Sequence, residues 1–268
     1  MHIYSKKDFE NTVLRNYDSR RGSILHAKES LSASGELETK SLGHPYFEDL
    51  AVGECRAESM VMVFLDLTDF TGRSFWDAET EVVDLAHAVL SGFIETVSKF
   101  GGYPLGLRGD GLFAGFGPCK NGVPAALALV ACAFALDAVE NSLNPRLKER
   151  GIAPVQARAG LDYGRISFVR SGNEEHSEIN PLGFAANFAA KCEKKAKSWE
   201  VVVGEGLTGL VPNDANFVEH NDSPKIYQRN YEKKAYKYYN YSWRKVLEHI
   251  PGIVEELNGS SSEMIAIF

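Results

Sequence analysis

The sequence is poor in the features that mark secreted proteins, zinc-knuckle proteins and membrane proteins. Its 268 residues include four cysteines, at positions 55, 119, 132 and 192, without a C-x-x-C pair. We therefore expect neither disulfides nor a zinc knuckle. We also expect no apolar run of membrane-spanning length, and the charged stretch over residues 1–21 is unlike a signal peptide. These absences predict a cytoplasmic protein in a reducing compartment.

An excess of positive charge is also missing. The chain has 29 Lys and Arg against 36 Asp and Glu, a formal net charge of −7. Nucleic acids and anionic membranes bind basic surfaces, so neither is predicted as a partner. The length suits one large domain with extensions. We predict an N-terminal extension over 1–58, a catalytic domain over 59–243, and a C-terminal helix and tail over 244–268.

Two segments carry the main chemical signal. MVMVFLDLTDFTGRS (60–74) begins as an apolar strand that ends at Asp66, and GGYPLGLRGDGLFAGFG (101–117) reads as a tight β-hairpin with Asp110 at its tip. A strand end and a hairpin tip are natural neighbours in one sheet. Two carboxylates held there would suit divalent cations, so Asp66, the adjacent Leu67 and Asp110 are the candidate metal-site residues.

The turn after the first strand is a candidate phosphate site. It opens a helix, and the backbone N–H groups of a helix N-terminus attract anions. Thr68, Phe70 and Thr71 are the candidate phosphate-binding residues there.

The order of predicted elements indicates the fold class. The patterns read β-α-ββ-α-ββ-α-β followed by a closing hairpin, with Asp162-Tyr163-Gly164 at or near the turn of the second strand pair. This order predicts an α+β fold: a ferredoxin-like split βαβ core with a mostly antiparallel sheet, extended by an extra αβ unit and a C-terminal hairpin. We expect the helices on one face of the sheet.

Three motifs together resemble the catalytic domain of the class III nucleotidyl cyclases, over roughly residues 61–241. They are FLDLTDFTGRS, the hairpin GGYPLGLRGDGLFAGFG, and LGFAANFAAKCEKKA. The resemblance implies that Asp66 and Asp110 bind two Mn²⁺ or Mg²⁺ ions and that Asn187 positions the ribose. Lys191 stands where the family has an arginine that stabilises the transition state, and a lysine that meets the triphosphate corresponds to Lys233 or Lys234.

Two positions that contact the base in this family differ from those of adenylate cyclases. Adenylate cyclases resemble one another in having a lysine at one of these base-reading positions and an aspartate at the other. This chain has Gly106 and Asn180, and strand alternation puts Arg108 beside Gly106. An arginine with an asparagine amide matches the two carbonyls and one N–H of uracil. The chain therefore resembles the pyrimidine cyclases of bacterial anti-phage (Pycsar) systems, which implies UTP as substrate and cyclic UMP as a messenger for a separate effector. CTP, ATP and GTP stay open as alternatives.

The resemblance further implies a homodimer whose active sites combine residues of both chains. Two other functions compete with this interpretation. A diguanylate cyclase would carry a G-G-[DE]-E-F hairpin, and Arg108-Gly109-Asp110-Gly111-Leu112 lacks its second acidic residue. A catalytically inactive, nucleotide-binding or dimerising module would suit Lys191 and the altered base positions, but it has no use for paired aspartates.

Overall fold

The computed structural model describes residues 4–26, 42–119, 122–173, 175–211, 214–250 and 252. Residues 27–41 of the predicted N-terminal extension, and most of the predicted C-terminal tail, lie outside the described residues.

The main sheet has the strand order β2-β3-β1-β4-β6-β10-β7, and β5 pairs with β4 outside this path. Among the described ladders, β4–β6 is parallel and the others are antiparallel, as predicted. A separate hairpin forms from β8 and β9. The strands are β1 Cys55–Thr68, β2 Tyr103–Arg108, β3 Gly111–Phe116, β4 Gln156–Gly172, β5 Ser177–Leu182, β6 Val201–Gly204, β7 Phe217–Glu219, β8 Lys225–Arg229, β9 Glu232–Tyr236 and β10 Tyr238–Tyr241.

Helices cover both faces of this sheet, so the expectation of helices on one face is wrong. The α-helices are α1 Lys6–His26, α2 Phe70–Arg73, α3 Glu79–Lys99, α4 Val123–Ala138, α5 Asn144–Glu149, α6 Phe184–Lys195 and α7 Glu205–Thr208. Val61 and Val63 of β1 belong to the large core with α1, α3 and α4. The alternate residues Met60 and Met62 pack with the alanines of α6 in a second core on the opposite face.

Described parts of the predicted N-terminal extension pack onto the sheet domain. Phe9 and Val13 of α1 are fully buried against α3, where a Cβ at Gly92 would lie 2.7 Å from Phe9. Phe47 stacks on Phe168 of β4 with ring centroids 3.7 Å apart. Both segments therefore belong to the packed structure of the domain.

The core helix α4 is apolar almost all round. Among the described residues, Val123–Glu149 is long and apolar enough to cross a membrane, and 83% of its most apolar 18-residue stretch is buried inside the protein. The expectation of no apolar run of membrane-spanning length is therefore wrong. Its position in the large core, between the sheet and the other helices, accounts for its composition.

The predicted turn at Asp162-Tyr163-Gly164 does not form. β4 continues unbroken through these residues, because β1 pairs with it over the whole register from Cys55–Val169 to Thr68–Gln156. Continuous pairing with a long central strand overrides the local turn preference of an Asp-x-Gly sequence.

Asp162 has a structural role instead. It is fully buried, and both of its carboxylate oxygens contact the Tyr236 hydroxyl of β9, at 3.2 and 3.1 Å. Gly204 and Gly206 leave room for this carboxyl group, since a Cβ on Gly204 would lie 2.4 Å from Asp162 Oδ1. Asp162 therefore ties the β8–β9 hairpin to the centre of the sheet.

We predict that Asp162 makes the protein less stable as the pH rises from about 4 to about 7. Burial raises the pKa of Asp162 to about 7 in the folded chain, whereas the unfolded chain titrates near the ordinary 3.8. Between these values the folded state holds more protons, so the free energy of unfolding falls by up to about 1.4 kcal/mol per pH unit. Urea unfolding should be measured at about pH 5 and at about pH 8. Between these two pH values, the free energy of unfolding should fall less for Asp162→Asn than for the wild type. Equal losses would contradict the assignment.

Candidate active site

Asp66 lies where three strands meet. It pairs with Gly111 of β3 on one side and Arg158 of β4 on the other. The β2–β3 hairpin turns through Gly109 and Asp110, and Gly109 has φ +63° whereas Asp110 does not adopt a positive φ. Positive φ at the first central residue is typical of a type II′ turn, in which glycine is favoured. The predicted hairpin is confirmed, with Asp110 at its tip beside the partner of Asp66.

The two aspartates affect each other electrostatically. Burial raises the pKa of Asp110, and the negative charge of Asp66 raises it further. Carboxylate oxygens are the ligands that Mg²⁺ and Mn²⁺ prefer, and a divalent cation between the two would remove their repulsion. Within the described ranges no three His, Cys, Asp or Glu side chains form a complete metal cage. The donor set fits a cation completed by phosphate oxygens and water, which is how Mg²⁺ is commonly held.

Two charged residues that the sequence analysis did not identify lie at this site. Arg158 of β4 donates to Asp66 Oδ2 from Nε at 3.1 Å and from Nη2 at 2.8 Å. Its Nη2 is also 2.5 Å from Oε1 of Glu193 on α6. Burial and the charge of Asp66 raise the pKa of Glu193, partly offset by Arg158. The site therefore holds three carboxylates and one guanidinium.

Two glycines permit this close assembly. A Cβ on Gly160 of β4 would lie 2.0 Å from the Glu193 backbone nitrogen, so only glycine lets α6 approach the strand this closely. A Cβ on Gly111 would lie 2.9 Å from Asp66 Oδ1. The close approach of α6 brings Glu193 to Arg158, and Asp66 Oδ1 faces the hairpin tip.

The predicted phosphate turn follows Asp66 directly. Leu67 is buried in the large core, and the Thr68 hydroxyl is buried without a hydrogen-bond partner at the end of β1. Phe70 is buried and Thr71 exposed in α2, which has only four residues. These residues are adjacent to the carboxylate pair, and their roles toward metal and phosphate remain predictions.

The predicted ribose and transition-state residues point away from the carboxylate pair. Asn187 and Lys191 lie on the exposed face of α6. Glu193 is about 120° from Asn187 and about 160° from Lys191 around the helix axis. Lys191 Nζ instead donates to the Tyr227 hydroxyl of β8 at 3.0 Å. One chain therefore brings Asp66 and Asp110 together but leaves Asn187 and Lys191 on another surface.

The strand register distinguishes the two candidate phosphate lysines. Lys234 pairs with Tyr227, the partner of Lys191, whereas Lys233 pairs with Gln228. Paired residues of two antiparallel strands project to the same side. Lys234 therefore shares a face with Tyr227 and Lys191, and Lys233 lies on the opposite face of the hairpin.

The predicted base-reading residues lie on two separate hairpins. Arg108 is exposed beside Gly106 on β2, with its Nη1 3.9 Å from where a Cβ of Gly106 would be. Asn180 pairs with Val169 on the β4–β5 hairpin, and its neighbour Ile179 packs against the second core. Alternation thus puts the Asn180 side chain on the other face from Ile179. The roles of all three predicted residues remain predictions.

No family model matches the chain. It is 24% identical over 228 residues to a cytidylate cyclase from Escherichia coli, which covers 78% of this chain and 49% of that protein. It is 24% identical over 239 residues to a cytidylate cyclase from Staphylococcus aureus, covering 82% and 56%. The chain spans about half the length of the curated relatives it matches.

Solved structures match over most of the described fold. The crystal structure of the adenylyl cyclase CyaB from P. aeruginosa is similar with a TM-score of 0.60 and 18% identity, covering 70% of this chain and 95% of that one. The fold is that of the class III cyclase catalytic domains, as predicted, and the sequence is homologous to curated cytidylate cyclases.

Proposed function

We propose that the chain is a metal-dependent pyrimidine nucleotide cyclase, which converts a nucleoside triphosphate into a 3′,5′-cyclic nucleotide and pyrophosphate. The observation that carries this proposal is the pairing of Asp66 with the tip of the Asp110 hairpin, on the fold of the cyclase catalytic domains. Mn²⁺ or Mg²⁺ held there would activate the ribose 3′-oxygen and neutralise charge on the leaving pyrophosphate. Thr68 and the turn after it lie beside this position and would receive the phosphates.

The residues of α6 complete the site from a second copy of the chain. Asn187 would orient the ribose, and Lys191 would add positive charge to the α-phosphate oxygens as bonding changes. The register favours Lys234 over Lys233 as the partner for the outer phosphates, since it shares a face with Tyr227 and Lys191. Lysine provides charge without the paired donors of arginine, so Lys191 acts as a point charge.

Among pyrimidines we propose CTP first. The curated relatives are cytidylate cyclases. Cytosine presents two acceptors, O2 and N3, and an amino donor at position 4. Arg108 would donate to an acceptor, and an Asn180 amide oxygen would accept from the amino group. UTP is the second candidate, because the same amide turned round would donate to the uracil 4-carbonyl. The cyclic product would act as a messenger for a separate effector in anti-phage defence.

We predict that incubation with Mn²⁺ and one nucleotide at a time gives 3′,5′-cyclic CMP from CTP, with less product from UTP, ATP or GTP. Mass spectrometry of each reaction identifies the product, and Asp66→Asn is the blank. If the main product is cyclic UMP, the proposed reaction stands and its substrate is UTP instead of CTP. No product from any nucleotide, with a dimer present in solution, would favour the inactive binding module.

A further inference from the structure

Arg158 holds its positive charge between two acids that come from different elements. Its Nε and Nη2 both donate to Asp66 Oδ2, and Nη2 lies 2.5 Å from Glu193 Oε1. The side chain of Arg158 is only 24% exposed, and that of Glu193 only 9%. The guanidinium of Arg158 therefore offsets the negative charge of both carboxylates.

The two oxygens of Asp66 are divided between different neighbours. Oδ2 accepts both hydrogen bonds from Arg158, whereas Oδ1 lies against Gly111 on the side of the hairpin tip. The same carboxylate therefore offers one oxygen toward Asp110 while the other binds Arg158. A cation that needs Asp66 must share this carboxylate with Arg158.

Glu193 is the second acid that binds Arg158. Its Oε1 is buried and lies 2.5 Å from Arg158 Nη2. A buried carboxylate needs a positive partner, because leaving its charge unpaired costs stability. Glu193 and Asp66 therefore attract the same guanidinium from two different elements, α6 and β1.

We propose that Arg158 is an internal cation that competes with the metal for Asp66, and that Glu193 is a positioning residue that retains Arg158 when the metal binds. The inference rests on the proposed metal site at Asp66 and Asp110. Without Glu193, Arg158 has Asp66 as its one remaining carboxylate partner in this cluster and binds it more strongly. Without Arg158, the negative charges of Asp66 and Glu193 lose this positive partner, and Asp66 attracts the metal more strongly.

Direct Mn²⁺ binding without nucleotide tests the inference, using the electron paramagnetic resonance signal of free Mn²⁺. We expect Glu193→Gln to raise the dissociation constant about tenfold and Arg158→Met to lower it several-fold. Glu193→Asp should return most of the affinity, because it restores the charge. Glu178→Gln, which removes an exposed acid from β5, is the matched control and should bind as the wild type does.

The two variants are expected to change the Mn²⁺ dissociation constant in opposite directions, which distinguishes this role from simple support of the fold. Lower stability alone would weaken Mn²⁺ binding in both variants, so weaker binding by Arg158→Met overturns the inference. Unchanged binding in Glu193→Gln overturns it as well. Arg158→Lys keeps a positive charge but loses the paired donors, so its Mn²⁺ dissociation constant should lie between those of the wild type and Arg158→Met. This variant replaces Arg158→Met if Arg158→Met does not fold. If Asp66→Asn binds Mn²⁺ normally, the proposed metal site itself fails.

Discussion

Replacing Asp66 by asparagine is expected to abolish cyclic-nucleotide formation, lowering kcat/KM by about three orders of magnitude or more. Asparagine keeps the size of the side chain and an acceptor for Arg158, but it removes the negative charge that lies beside the Asp110 turn, where Asp66 pairs with Gly111. Product formation from CTP and UTP should be measured at several Mn²⁺ concentrations, because a weakened metal site is partly rescued by more metal.

The matched control for this variant is Glu58→Gln, which removes the same charge from β1 eight residues before Asp66. It should keep wild-type activity. Thermal unfolding of both variants separates a lost metal site from a lost fold. An Asp66→Asn protein that folds and retains near wild-type turnover would contradict the assignment of Asp66 and, with it, the proposed mechanism.

The proximity of Asp66 and Asp110 was predictable because its signal is local. The predicted strand ends at Asp66, whereas β1 continues two residues further to Thr68. The helix and the Asp-Gly hairpin that follow still bring Asp66 next to the turn that carries Asp110. The hairpin needs glycine at position 109 for its positive φ, and the sequence provides it. Turn chemistry and strand alternation were therefore sufficient here.

Arg158 and Glu193 were missed because their pairing is not local. A charged side chain in a buried strand needs an acidic partner, so Arg158 was a signal in itself. The sequence has 36 acidic residues, and nothing in its spacing selects Asp66 and Glu193 among them. The approach of α6 depends on Gly160, whose role is visible only once helix and strand are in contact.

The prediction of a turn at Asp162-Tyr163-Gly164 was wrong for a related reason. Local preference favoured a turn, but the partner strand β1 is 14 residues long and pairs without interruption. Asp162, interpreted as a turn residue, is instead buried under Tyr236. Non-local pairing decided both the strand and the environment of its carboxylate.

The arrangement of α6 bears directly on how many chains make one active site. Glu193 turns toward Asp66, so the opposite helix face with Asn187 and Lys191 turns away from it. These exposed residues would have no substrate in an isolated chain with this structure. A second copy that places its α6 face against the first chain's carboxylates would complete the site, and the same contact repeated by symmetry would make two sites.

We therefore expect two inactive variants to restore activity when they are mixed. Asp66→Asn removes the metal half of each site, and Asn187→Ala removes the ribose half, each lowering turnover at least about a hundredfold. After subunit exchange, half of the dimers are mixed and each has one intact site, so about a quarter of wild-type activity should return. Asp66→Asn mixed with Asp110→Asn is the matched control, since every site then lacks one carboxylate. Recovery in this control, or none in the first mixture once exchange is verified by native mass spectrometry, would contradict a site shared between chains.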